Sequence, residues 1–342
     1  MRCSLRKFAG VAIFWLTACA PQGLLAQAKL PAATASPLPT MPNAAPTKPL
    51  PPANTLYASM LSTLESHQSI AARIRHRIDM FDHQLVGSGI YLQQSLSPGQ
   101  NRGPERLLRF ELKIQVDDQV TSLQQISDGN SLWMHKDLLG QASLSQIDLT
   151  RLRRALANSE RPTAMSPATA WIVLGGLPKL MKNLADWYRF TSVEEGHLER
   201  FPVWILRGQL HDFHLAGLLP AQKDKILAGQ PADLDKLPKQ IPDRVVLMIG
   251  RDDLFPYRLE YWRLLPVEKK PLSLKKPPPA DRLLLAMELF EVQLDVPLDV
   301  RQFSYNPGDQ PVVDLTPSYL QSLGLKDVVE AKSPAKKPAG PR

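Results

Sequence analysis

Between Arg106 and Val116 the chain alternates strictly. Leu108, Phe110, Leu112, Ile114 and Val116 are apolar, and Arg109, Glu111, Lys113 and Gln115 stand between them. A period of two buries one face of a strand and wets the other. Gly89–Gln93, Val120–Ser127 and Ser131–Lys136 have the same character, and Asp128-Gly129-Asn130 between the last two is a hairpin turn signal. Upstream, Leu56, Met60, Leu64, Ile70, Ile74 and Ile78 fall near one face of a helix, which predicts a helix over Thr55–Met80. The middle of the chain turns helical over Leu149–Glu160 and Ala168–Leu174. Helix resumes from Leu177-Pro178 to Trp187 after the Gly175-Gly176 break. Strands are then predicted at Pro202–Arg207, Leu210–Leu215, Arg244–Ile249, Tyr257–Leu264 and Leu283–Leu294. No internal repeat suggests a solenoid.

The expected class is α+β, mainly antiparallel β, as one domain over residues 55–327. A large antiparallel sheet with few helices must cover one apolar face, and the helical insertion Leu149–Trp187 is the obvious cover. Its Gly175-Gly176 break offers a hinge. An incomplete or mobile cover leaves an apolar cavity against the sheet.

The first residues change the setting. Arg2, Arg6 and Lys7 precede an apolar run from Phe8 to Leu16, which has the order of a bacterial secretory signal and is too short to span a bilayer. Leu16-Thr17-Ala18-Cys19 resembles a lipobox, in which a signal over residues 1–18 is removed and Cys19 carries lipid. Ala26-Gln27-Ala28 offers the alternative, an ordinary signal peptide over residues 1–28. Residues 29–54 are rich in Pro and Ala and read as an extended tether, able to hold a domain several nanometres from an anchor at ~3 Å per residue. Residues 328–342 read as a disordered basic tail. The expected location is the periplasm or cell envelope, anchored through Cys19 or secreted and soluble.

Charge then removes one class of function. Of the net charge of +8, three units come from Arg2, Arg6 and Lys7 and four from Lys332, Lys336, Lys337 and Arg342. Neither segment carries an acid, so residues 20–331 stand at +1. A nearly neutral domain has no electrostatic footprint for nucleic acid. Both cysteines, Cys3 and Cys19, lie in the signal region, which leaves the domain without disulfides, thiol chemistry or cysteine zinc sites.

Catalytic patterns are thin. His211-Asp212-Phe213-His214 gathers two imidazoles and a carboxylate, but on a strand His211 and His214 point to opposite faces, which is poor metal geometry. Gly175-Gly176-Leu177-Pro178 has neither the lysine nor the preceding strand of a phosphate loop. No nucleophile elbow or zincin helix occurs. Glu194-Glu195 and Asp252-Asp253 read as solvated turn acids. No catalytic residue, metal or cofactor is expected.

Ser127-Asp128-Gly129-Asn130-Ser131-Leu132-Trp133 resembles the Ser-Asp-Gly-x-x-Leu-Trp segment of the LolA-like outer-membrane lipoprotein carriers. Gly89-Ile90-Tyr91-Leu92-Gln93-Gln94, behind an amphipathic helix, is similar to that family's early strand. Arg301–Tyr305, followed by Pro307-Gly308 and Asp314-Leu315-Thr316, is similar to its closing strand. The order matches over most of residues 55–320. The resemblance implies an unclosed β-barrel, or half-barrel, with helices covering the concave face and a hydrophobic pocket for acyl chains of lipid or lipoprotein. Relatives include carriers, membrane-anchored acceptors and lipid-responsive sensors. The family's pocket arginine has three candidates here, Arg102, Arg106 and Arg109. The chain is longer than the soluble carriers, with the helical insertion and a Lys269-Lys270, Lys275-Lys276 loop as additions.

The acyl-cavity candidates are therefore Leu108, Phe110, Leu112 and Ile114 on the clearest strand, Leu247 on Arg244–Ile249, and the wide rings Tyr91, Trp133 and Tyr257. Each could equally be sealed core or sheet surface, as could Trp204 and Trp262. The expected function is non-enzymatic binding or transport of acyl chains. The alternatives are a lipid-responsive sensor with an envelope protein partner, and an envelope hydrolase using the same cavity. If the lipobox reading holds, Cys19→Ser releases the protein from the membrane fraction, whereas a native mature N terminus at Lys29 contradicts it.

Overall fold

The computed structural model describes residues 50–80, 83–96, 106–116, 119–138, 140–158, 175–264 and 281–325. The signal region with Cys19, most of the tether, Arg102, Ala168–Leu174, the Lys269–Lys276 loop and the basic tail lie outside them. In chain order the elements are α1 (Ala53–Ser66), β1 (Ser69–Met80), β2 (His83–Ser95), β3 (Arg106–Val116), β4 (Gln119–Ser127), β5 (Ser131–Leu138) and β6 (Gln141–Asp148). There follow α2 (Leu149–Ala157), α3 (Gly176–Trp187), β7 (Tyr188–Leu198), β8 (Phe201–Leu210), α4 (Asp212–Leu218) and α5 (Lys223–Leu227). The last are β9 (Arg244–Gly250), β10 (Pro256–Leu264), β11 (Asp281–Leu294), β12 (Val312–Asp314) and α6 (Thr316–Ser322).

All twelve strands form one sheet, in the order β12-β6-β5-β4-β3-β2-β1-β11-β10-β9-β8-β7. Every pairing is antiparallel except that of β12 with β6. The end strands β12 and β7 do not pair with each other, so the barrel is unclosed. The sheet curls nevertheless. The first residue pair of α3 sits on β2, where the Leu177 amide donates to the Tyr91 hydroxyl at 2.8 Å, and its last residue runs straight into β7. Those strands are six steps apart, roughly 29 Å along a flat sheet. A twelve-residue helix spans only about 18 Å, so the strands bend around it.

Glycines on β2 permit the bend. A Cβ on Gly89 would collide with the Glu111 carbonyl of β3, and one on Gly87 would lie 2.8 Å from Ile114 Cγ1 and 2.9 Å from the Lys113 carbonyl oxygen. The neighbouring backbone passes where a side chain would stand.

Several elements differ from the sequence expectation. The N-terminal helix ends at Ser66, and Ser69–Met80 is a strand rather than its continuation. Isoleucines at 70, 74 and 78 fit either period. Ala72 and His76 complete the buried row and Arg73, Arg75 and Arg77 the outer one, which is strand alternation. Leu210–Leu215 is not a strand. β8 ends where the His211 amide donates to the Trp187 carbonyl at 2.8 Å, and α4 then buries Leu215 and Ala216. The strand expected at Arg301–Tyr305 is a 3-10 turn, Val300–Phe303, capped by Asp299, whose carboxylate accepts from the Arg301 amide at 2.9 Å. The final strand is the short β12. Strand β7 had no expectation; its apolar positions Tyr188, Phe190 and Val193 are too few to mark it.

One apolar cluster fills the concave side. It joins α1 (Leu56, Tyr57, Met60, Leu64), α3 (Leu177, Met181, Leu184), α2 (Leu149, Leu152) and α6 (Leu320) to the inner face of the sheet. The outer face is charged. Arg75 and Arg258 both bind Glu288, at 3.1 and 2.6 Å, and Arg258 binds Glu260 at 2.7 Å, which also accepts from the Trp262 indole at 2.8 Å. Opposite charges across neighbouring strands hold this face in register. The curl makes Gly89 the most sensitive sheet position. Gly89→Ala should destabilise the protein by several kcal/mol in urea unfolding, whereas an unchanged midpoint would show that β2 and β3 can separate there.

Candidate functional site

Strand alternation and register place most of the cavity candidates on one surface. Tyr91 (β2) pairs with Phe110 (β3), and Phe110 with Gln125 (β4). Leu112 lies opposite Gly89 and Leu123. A longer row runs Thr121, Ile114, Gly87, His76, Met287, Leu259, Leu247, Leu206, Val193, crossing nine strands on the concave side. Ile114 and Leu247 thus share one continuous strip although they are far apart in sequence.

The rings are divided. Trp133 stands opposite Ile126 on the outer face, where it stacks on Tyr305 with centroids 5.6 Å apart. That face carries a small second core in which Leu107, Ile126, Leu144 and Phe303 are buried, and Arg109 fastens the 3-10 turn by donating to the Gln302 carbonyl at 2.8 Å. The Asp-Gly-x-x-Leu-Trp segment therefore splits its work, since Leu132 enters the concave core and Trp133 anchors the late segment outside. Tyr257 lies at the β9–β10 corner, half-buried, with its hydroxyl donating to Asp253 at 2.5 Å and its ring edge-on to Phe255. Trp204 packs under the Arg251 guanidinium, 4.6 Å from it.

Leu108, Phe110, Leu112, Tyr91 and Leu247 are each at most 2 % exposed, and Ile114 is half-buried. The face is covered in this conformation. Its cover is tied down at few polar points. Tyr57 of α1 stacks on Phe190 of β7 at 4.5 Å and donates to the Met181 carbonyl of α3. At the start of α3 the Tyr91 hydroxyl accepts from Leu177 and donates to Gln93 Oε1 at 2.7 Å. Arg106 donates to the Gly175 carbonyl at 3.0 Å, so of the two described arginine candidates it touches the cover, while Arg109 faces out. Gly176 has φ +68°, and a Cβ there would lie 2.6 Å from the Tyr91 hydroxyl and 2.9 Å from Leu108. Gly176 is a close seat for the helix on the sheet.

Burial sets the electrostatics of this surface. Desolvation pushes the phenols of Tyr57 and Tyr91 well above their ordinary range. It lowers the Lys136 ammonium, which lies on the concave side opposite Leu123. Desolvation also lowers His76 from 6.5 to about 4, so that imidazole is neutral across the physiological range. Of the two histidines whose spacing argued against a metal site, His211 stands at the start of α4 and His214 is engaged by its neighbours. His214 stacks on Trp187 at 4.1 Å with Nε2 2.9 Å from the Asp186 carbonyl oxygen, and Asp212 lies 3.9 Å from Arg189. Among the described residues no group of three His, Cys, Asp or Glu side chains is placed to hold a metal ion.

No family model and no curated protein matches the chain. Similar solved structures include the Mycobacterium tuberculosis lipoprotein LppX, at 9 % identity and TM-score 0.34, covering 72 % of this chain and 98 % of that one. A LolA superfamily protein from Nitrosomonas europaea is 12 % identical with TM-score 0.24, over 75 % and 99 % of the two chains. The Pseudomonas aeruginosa MucA/MucB complex is 11 % identical with TM-score 0.33, over 74 % of this chain and 61 % of that one. The open, curled antiparallel sheet with helices on its concave face is the architecture that the sequence motifs led us to expect. The agreement is one of architecture. Sequence reasoning found the apolar strip of β3 but missed Gln125 and His76 within the concave face. Only the register of their strands could have placed them there.

His76 yields a pH test. Its folded pKa is depressed, so the unfolded chain takes up a proton near pH 6.5 that the folded chain refuses until about pH 4. Stability should fall as pH drops through that window, by about 3 kcal/mol. His76→Leu should lack this component in denaturant titrations at pH 7 and pH 4.5. Equal losses in the two proteins would contradict a buried neutral imidazole.

Proposed function

We propose that the protein binds acyl chains of lipid or lipoprotein on its concave face at the bacterial cell envelope, by sequestration rather than chemistry, with Cys19 as its membrane anchor. The observation that carries this reading is the concave row crossing nine strands, apolar but for Thr121 and His76, which shares one cluster with the covering helices. Leu177, Met181 and Leu184 are the buried anchors of α3. At roughly 1.5–3 kcal/mol each, they contribute about 5–9 kcal/mol to its docking. A sixteen-carbon chain laid on the same strip would contribute about 13 kcal/mol at ~0.8 kcal/mol per CH₂. A lipid can therefore take the place of α3 without the face ever meeting water. Tyr91, Leu108, Phe110, Leu112, Ile114 and Leu247 are the contacts proposed for the chain. Tyr257 would lie beside the strip, two residues from Leu259 on β10, and Trp133 has no part in it.

A sensor reading has one observation in its favour. Helix α3 continues without a linker into β7, the edge strand of the sheet. Displacing α3 would shift an edge with unpaired backbone groups, a surface to which a protein partner could respond. Transfer of a labelled lipid between vesicles separates the two readings, because a carrier releases its ligand to an acceptor and a sensor retains it.

Loosening the seat of α3 tests the displacement itself. Gly176→Ala adds a Cβ against Tyr91 and Leu108 at a left-handed backbone position. We expect a melting temperature lower by several degrees together with faster uptake of a fluorescent polyene fatty acid, followed by stopped flow. Lower stability with unchanged or slower uptake would show that α3 is not the element that moves.

A further inference from the structure

The concave face is not uniformly apolar, and its polar members are unusually placed. Gln125 stands in the middle of β4 between Phe110 of β3 and Met134 of β5, with Leu123 and Ser127 as its same-face neighbours along the strand. It is 1 % exposed, and neither Nε2 nor Oε1 has a hydrogen-bond partner among the described residues. Two further atoms of this face share that condition. Gln93 uses its Oε1 on Tyr91 and Leu177, but its Nε2 has no partner, and Thr121 Oγ1 is buried without one on the same strand as Gln125. A buried primary amide left unpaired costs the fold stability, and an apolar residue of similar size at that position would be cheaper.

Such an amide is suited to a ligand group. It offers two N–H donors and one carbonyl acceptor, so its complement is neutral and carries an acceptor beside a donor. An ester next to a hydroxyl, or a secondary amide, meets both needs. A hydrocarbon meets neither. A carboxylate only accepts, so it leaves Oε1 without a donor, and it carries a charge into an apolar site. We propose that Gln125 is the polar recognition point of the concave face, taking the uncharged ester or amide linkage at the head of an acyl chain. The inference rests on the acyl-binding reading above and adds to it the class of ligand. It also explains the unpaired amide of Gln125, which is unmatched while the face is covered and matched when a ligand enters. A site built to hydrogen-bond its ligand rejects the analogue that cannot.

Equilibrium dialysis of the full-length protein with three ten-carbon probes, decanoylglycerol, decanoate and decane, tests this in wild type, Gln125→Leu and Gln125→Met. Both substitutions remove the amide while keeping an apolar side chain of similar size, and both should leave the empty protein as stable as wild type or more so. We expect wild type to bind decanoylglycerol more tightly than the other two probes. Both variants should weaken decanoylglycerol at least tenfold and hold decane within twofold of wild type. Unchanged decanoylglycerol binding in the variants would overturn the assignment, as would a wild-type preference for decanoate. Failure of wild type to bind any probe, decane included, would instead overturn acyl binding itself, and this inference with it.

Discussion

An open sheet of twelve strands has an apolar face wider than any one helix can cover. Laid flat, it would leave large areas of that face in water at about 25 cal/mol per Å². Curling brings the distant strands β2 and β7 within reach of the same short helix, α3, and the curl depends on β3 passing close over Gly87 and Gly89 of β2. The concave core, the seating of α1 and α3, and the outward display of the charged ladder all follow from that close approach.

The proposed exchange draws on the same constraint. A cover assembled from α1, α2, α3 and α6 holds the sheet through side-chain contacts and a few hydrogen bonds, among them Tyr57 to Met181 and Leu177 to Tyr91. A barrel closed by strand pairing would have no such cover to displace. The outer face works differently, since Glu288 and Glu260, bound by Arg75 and Arg258, fix the register of β1, β11 and β10 whatever happens inside. Rigid sheet and replaceable cover are what sequestration of a greasy ligand requires.

Much of this was legible before the structure. Strand β3 could be read from Arg106 to Val116 because its alternation is unbroken, and the β4–β5 turn because Asp128-Gly129 leaves little choice; Gly129 adopts φ +90° there. The errors have physical causes. Isoleucines four apart satisfy both helix and strand, so α1 was extended through β1. The apolar ends of Leu210–Leu215 suggest a strand, although Leu215, Ala216 and Leu219 fit one helical turn. The late Phe303 looks like a strand residue but is a single anchor pressed on the outer face. Trp133 fits a cavity ring as well as an outer one, because sequence gives alternation without saying which face is concave. Gln125 carried no signal at all. A glutamine in a strand is ordinary until the register sets it between Phe110 and Met134 beneath the cover.

The central claim is that α3 leaves the concave face to admit an acyl chain while the sheet stays intact. Amide hydrogen exchange on α3 and β3, with and without decanoylglycerol, tests it most directly. The account predicts faster exchange in Gly176–Trp187 than in Arg106–Val116 for the empty protein, and a change confined to α3 and its contacts when lipid is added. Equal protection in both elements, unaltered by lipid, would make α3 a permanent layer of the core and contradict the account.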